Sequence, residues 1–249
     1  LKTGTHISKH ISVLYNYIFD HIFRLPPISK SEFKMDILSN LICKDNPVII
    51  EIGCNDGYNT LFFFKIFKNP KIYCFEPDPR AIERFKVNIG HNPDIELFEI
   101  ALSNQNGEIE FFQSDGYLNE ECHKRMPHGW DLSGSIKSPK EHVKIHPWIT
   151  FNKKILVKSN TLDDWANKNY NGIIDLIWMD VQGAEINVFN GGSETLKKTR
   201  FIFTEYSNRE LYKGQSSLMK LMKFLKEFRI VKRFSSDVLL SNNKIEGPI

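Results

Sequence analysis

Cysteine is scarce: the four residues Cys43, Cys54, Cys74 and Cys122 stand singly in a chain of 249. They form no CxxC pair to hold zinc and are too few for a disulfide scaffold, so no metal site is expected and a reducing, cytoplasmic setting fits best. Long apolar runs are missing as well. The most apolar stretches, Val13 to Phe23 and Leu61 to Phe67, are interrupted by Asp20 and Lys65 and fall far short of the ~20 residues a membrane span requires. Neither sign of charge dominates. The 33 basic and 30 acidic side chains leave a net charge of +3 and are interspersed, which argues against nucleic acid as a partner. No charged, apolar, then small-residue leader precedes the first pattern, so no signal peptide is expected. The chain starts at Leu1, which allows for further domains in a longer polypeptide.

What is present is the composition of a globular protein, 41% hydrophobic and 25% charged, enough for a core of its own. Ile7, Ile11, Leu14, Ile18 and Ile22 recur every three or four residues, the period of one helix face. A helix over Thr5 to Phe23 ends at Pro26-Pro27, and a second is expected over Ser31 to Cys43 with Met35, Leu38, Leu41 and Ile42 inward. Residues 1–45 thus read as an amino-terminal helical extension. From residue 46 to 249 short β-branched runs alternate with helical patterns, the signature of βαβ units. Strands are expected at Val48–Ile52, Lys71–Phe75, Ile95–Ile100, Ile174–Met179 and Phe201–Thr204, with both faces covered because they do not alternate. Glu108–Phe112 and Ile155–Ser159 are extra strands around an inserted, lid-like segment, 113–150, rich in histidine and tryptophan. A helix over Ser217–Phe228 leads to a terminal hairpin, Ile230–Phe234 and Val238–Leu240.

The chemistry gathers at strand ends. The first strand runs into Gly53-Cys54-Asn55-Asp56-Gly57, where glycines let backbone approach a ligand. A dinucleotide fingerprint would carry glycine where Asn55 stands. This weakens a nicotinamide oxidoreductase without removing it as an alternative. Glu51, two residues before the first glycine, can face the charged amino-acid end of a donor, and Glu76, ending the second strand before Pro77, can accept from both ribose hydroxyls. Ala101-Leu102-Ser103 can meet an adenine edge. Asp180 ends the fourth strand and Glu205 the fifth, neighbouring acids able to act as a base, hold a cation or orient a hydroxyl.

Together, Val48-Ile-Ile-Glu-Ile-Gly-Cys-Asn-Asp-Gly-Tyr58, Phe75-Glu-Pro77, Ala101-Leu-Ser103, Thr161-Leu-Asp163, Met179-Asp-Val-Gln-Gly-Ala-Glu185 and Thr204-Glu205 resemble the FkbM family of methyltransferases. The resemblance implies a Rossmann-like class I methyltransferase: an α/β fold with a mostly parallel seven-stranded sheet, helices on both faces and a terminal antiparallel hairpin. Residues 46–249 would be the methyltransferase domain. It also implies S-adenosyl-L-methionine as donor and O-methylation of a hydroxyl on a small molecule, most naturally a sugar or glycan. Glu51, Gly53, Asn55, Asp56, Gly57, Glu76, Pro77, Ala101, Leu102, Ser135 and Asp180 are then the donor-binding residues, Ser135 because Leu132-Ser-Gly-Ser-Ile136 is similar to the family's Ser/Gly-rich loop. Asp180 is the first expected base, Glu205 the second, and His128 or His123 the third. The family often carries Lys-Ile-Asp-Val-Glu-Gly where this chain has Trp178-Met-Asp-Val-Gln182-Gly. Both changes are expected near the acceptor, and they keep open the alternative of a binding module that has lost its chemistry.

Overall fold

The structure is a computed structural model that describes residues 25–29 and 36–245. The helix expected over Thr5 to Phe23 lies outside the described residues, as does Met35. The rest of the second helix is α1 (Asp36–Ile42), with Leu38 and Ile42 buried as expected. The chain continues through β1 (Val48–Ile52), α2 (Tyr58–Ile66), β2 (Lys71–Phe75), α3 (Pro79–Ile89) and β3 (Ile95–Phe98). A short β4 (Ala101–Leu102) precedes β5 (Gly107–Gly116), the short helices α4 (Glu120–Arg125) and α5 (His142–Ile145), and β6 (Ile149–Asn160). Then come α6 (Leu162–Asn169), β7 (Ile174–Met179), α7 (Glu185–Asn190), α8 (Ser193–Leu196), β8 (Thr199–Glu205), α9 (Leu218–Phe224), β9 (Phe228–Arg233) and β10 (Asp237–Asn242).

Seven strands form one sheet in the order β3-β2-β1-β7-β8-β10-β9. The pairs from β3 to β8 are parallel, and β10 runs antiparallel to both β8 and β9. Order therefore reverses between β1 and β7. In open α/β sheets that reversal opens a crevice beyond the carboxyl ends of the strands. All residues of β1 and β7 are buried, which accounts for sequences that are apolar except for Glu51 and Asp175. One face packs Trp165, Phe75, Leu162 and Ile177, and the other packs Phe63, Trp178, Phe203 and Leu239. Helix starts follow local chemistry. Asp78 caps α3 by accepting from Arg80 N at 3.0 Å, with Pro79 at the first position, and Thr161 caps α6 by accepting from Asp164 N at 3.2 Å.

Two expectations need correction in their bounds. The third strand ends at Phe98, because Ile100 N turns back to Phe98 O at 2.9 Å, and Ala101–Leu102 pairs instead with β6 in a separate three-stranded sheet, β4-β6-β5. The expected extra strands are longer than their apolar centres. Polar residues such as Gln113 and Lys153 join an antiparallel ladder whose hydrogen bonds come from backbone, and the irregular segment shrinks to the stretch between Gly116 and Ile149.

Candidate functional site

At the end of β1 the chain folds back on β2: Gly53 N and Cys54 N both donate to Phe75 O, at 2.9 and 3.1 Å. Gly53 has φ +84°, and a Cβ there would lie 1.9 Å from the carbonyl oxygen of Asp180. Only glycine lets the ends of β1 and β7 meet this closely. Asn55 also takes a positive φ of 46°, and its N–H donates to Glu76 Oε2 at 2.9 Å while Asp78 N donates to Glu76 Oε1 at 2.8 Å. Burial outweighs those two donors and pushes the Glu76 carboxyl up to about 8. The loop, Glu76 and the β7 end enclose a cleft of about 800 Å³. Its far wall is apolar, with Leu102, Phe111, Ile136 and Val181, suited to a flat heterocycle.

Eight of the expected donor residues line this cleft: Gly53, Asn55, Glu76, Pro77, Ala101, Leu102, Ser135 and Asp180. Ser135 is fixed by donating from Oγ to Gln182 O at 2.8 Å. Three do not. Glu51 is fully buried among β1, β2 and α2, accepting from Thr60 Oγ1 at 2.5 Å, and burial pushes it up to about 8. Asp56 lines a neighbouring cavity and accepts from Tyr58 N at 3.2 Å. Gly57 precedes α2 at φ +85°, and a Cβ there would press on Ile89 and Phe85 of α3 at 2.9–3.0 Å. Its place is explained by helix packing.

Asp180 is the hub. Its N–H donates to Ile52 O at 2.9 Å, and it lines the first cleft and two further cavities. Gln182 Nε2 donates to Asp180 Oδ1 at 2.7 Å and lies 3.3 Å from Glu205 Oε2, bridging the two acids. On its other side Gln182 Oε1 is 3.0 Å from the Tyr212 hydroxyl. Burial raises Asp180 to about 6, and Gln182 partly opposes the rise. Glu205 is raised well above the ordinary carboxylate range, first by burial and then by the charges of Asp180, Glu185 and Asp237. Both acids are thus harder to ionise than ordinary carboxylates, Glu205 in part because Asp180 lies beside it.

The second cavity, about 1250 Å³, opens beyond Asp180 over the tips of β8 and β10. It is walled by Trp130, His142, His146, Glu205, Arg209 and Ser235 among others. Trp130 meets Trp148 edge to face at 4.8 Å, and its indole N–H donates to Ser133 Oγ at 2.9 Å. Burial holds His142 down at about 4, a neutral imidazole at physiological pH. Of the histidines named as candidate bases, His128 is exposed and lines the third cavity, of about 1120 Å³, on the other side of Asp180. His123 packs against Tyr117 at 4.3 Å and lines none of the three. Among the described residues no group of three or more His, Cys, Asp or Glu side chains could hold a metal ion, and no helix is long and apolar enough to cross a membrane.

The pattern described as "Methyltransferase FkbM domain" matches residues 51–230. A curated relative, "2-O-methyltransferase NoeI" of Sinorhizobium fredii (strain NBRC 101917 / NGR234), is 45% identical over 225 residues, covering 88% of each chain. The chain belongs to the FkbM methyltransferase family. Solved structures with related folds include a putative rRNA-methylase from Clostridium thermocellum, at 11% identity and TM-score 0.47, covering 87% of this chain and 100% of that one. Another is a putative methyltransferase from Streptococcus mutans in complex with SAH, at 12% identity and TM-score 0.44, covering 83% and 94%.

Within the FkbM family this chain's two departures now have separate explanations. Trp178, expected near the acceptor, lines none of the three cavities. It is a core residue stacked on Phe203 at 4.1 Å and set edge-on to Phe63 at 5.6 Å. Gln182 is at the acids, and a glutamate there would turn the bridging N–H donor into a third carboxylate. No sequence motif marks Asp131, Arg84 or Tyr212 as belonging to this site. Asp131 lies four residues before Ser135, but a lone acid in a long irregular segment has no spacing that marks it.

Proposed function

We propose that this FkbM methyltransferase transfers the methyl group of S-adenosyl-L-methionine to a hydroxyl of a sugar or glycan. The observation that carries the reading is Asp180, shared by the first cleft and the second cavity. The donor occupies the first, with ribose at Glu76, adenine against Ala101 and Leu102, and the sulfonium toward Asp180. The acceptor enters the second, where Trp130 offers an aromatic face for a pyranose and polar side chains meet its hydroxyls. The activity carried in the relative's name, transfer to a 2-hydroxyl oxygen, supports the oxygen as nucleophile.

The reaction is an in-line displacement. The acceptor oxygen bonds to the methyl carbon as the carbon–sulfur bond breaks, its electron pair returning to sulfur to give a neutral thioether, while the hydroxyl proton passes to the Asp180 carboxylate. The sulfonium is already activated, so alignment of the two substrates supplies much of the acceleration. Burial and its acidic neighbours disfavour a competing charge on Glu205. Incubation with isotopically labelled donor and a panel of free sugars and glycans, read by mass spectrometry, should find one acceptor gaining the labelled methyl group. Donor binding without transfer to any panel member would favour the inactive binding module.

A further inference from the structure

Asp131 belongs to the irregular segment between α4 and α5 yet is buried, 5% exposed, and lines both the first cleft and the third cavity. Its Oδ2 is ion-paired with Arg84 of α3, whose guanidinium also lies 3.5 Å from Asn55 Oδ1 of the glycine loop. Its other oxygen, Oδ1, is buried with no hydrogen-bond partner. A buried carboxylate oxygen without a donor is costly, and Asp131 lines the cleft and the third cavity together with Gly53, Asn55 and Asp180. Glu51, the acid expected there, is committed to Thr60 beneath the loop. An acid is therefore supplied at this place from the opposite wall.

We infer that Asp131 and Arg84 form the subsite for the amino-acid end of the donor, Asp131 Oδ1 accepting from its α-ammonium group and Arg84 facing its carboxylate. The inference rests on the donor reading above and assigns residues to it that the glycine loop does not contain. A zwitterion needs one group of each sign: Asp131 lines the cleft, and Arg84 lines the adjoining third cavity together with it. The pair also joins the 117–148 segment to α3, so donor binding and the placement of Trp130, the adjacent residue, are linked through one side chain.

The test is calorimetry with two ligands that share a nucleoside: S-adenosylhomocysteine, which carries the amino-acid end, and 5′-methylthioadenosine, which lacks it. Asp131→Asn is isosteric and should weaken the first about 10- to 100-fold while leaving the second unchanged, with the melting temperature recorded for both proteins. If Asp131→Asn does not fold, Arg84→Gln is the second variant and should show the same selectivity. Equal losses for both ligands would reduce Asp131 to a staple for the segment, and no loss for either would remove it from the subsite; each overturns the inference while leaving the donor reading intact. Wild-type protein that binds neither ligand would overturn the donor reading, and this one with it.

Discussion

Asp180 carries three constraints at once: its carbonyl oxygen faces Gly53, its N–H bonds to Ile52, and its carboxylate is held by Gln182. Asp180→Asn preserves the shape and removes the base, so turnover should fall about 100- to 10,000-fold with donor affinity little changed. In the wild type kcat/KM should decline as pH falls through about 6, where Asp180 takes a proton. Gln182→Glu tests the bridge. A carboxylate in place of the bridging amide, beside Asp180 and Glu205, makes ionisation of Asp180 harder, so the acidic limb of the pH–rate profile should move to higher pH. A limb that stays in place while kcat drops would mean that Gln182 only shapes the cavity.

At the scale of elements, the entry to β7 is held by a buried acid. Asp175 accepts from Lys44 Nζ at 2.7 Å, Val48 N at 2.9 Å and Arg200 Nη1 at 3.0 Å, tying the approach to β1 and the start of β8 to the strand between them. These contacts set the relative height of β1, β7 and β8, and with it the meeting of Gly53, Asp180 and Glu205 at the other end. Asp175→Ala leaves the Arg200 guanidinium buried without its partner. The variant should be destabilised by about 3–5 kcal/mol, measurable by denaturant unfolding. A loss below about 1 kcal/mol would mean that the cations relax into water and the strands need no such tie.

For the whole molecule, several buried acids give stability a definite pH dependence. Glu51 and Glu76 are each raised to about 8 by burial, so between their ordinary value and about 8 the native state binds protons that the unfolded chain has released. Stability from these groups is present at low pH and is lost as pH rises through that window. His142, lowered to about 4, works in the opposite sense: the unfolded chain binds its proton first, so stability from it rises with pH up to about 6.5. Above about 6.5 only the acids remain. The melting temperature should therefore fall between about pH 6.5 and about pH 8, and Glu51→Gln should flatten that fall. A flat wild-type profile across this range would rule out neutral Glu51 and Glu76 in the folded state.

The sequence by itself determined the parallel part of the sheet, since strands buried on both faces are apolar at nearly every position, and β1, β2 and β7 follow the expected bounds residue for residue. It also determined the glycine loop, the strand-end acids Glu76, Asp180 and Glu205 and the family, because these depend on residues close together in the chain or at fixed strand ends. Which acid faces the cleft was decided only by the tertiary structure. Side chains alternate across a strand, so Ile52 lines the cleft and Glu51 turns to Thr60. The place of Asp131, 47 residues from Arg84 along the chain, the bridging of two acids by Gln182 and the core position of Trp178 were likewise decided by packing. They depend on distances between segments that no local pattern in the chain records.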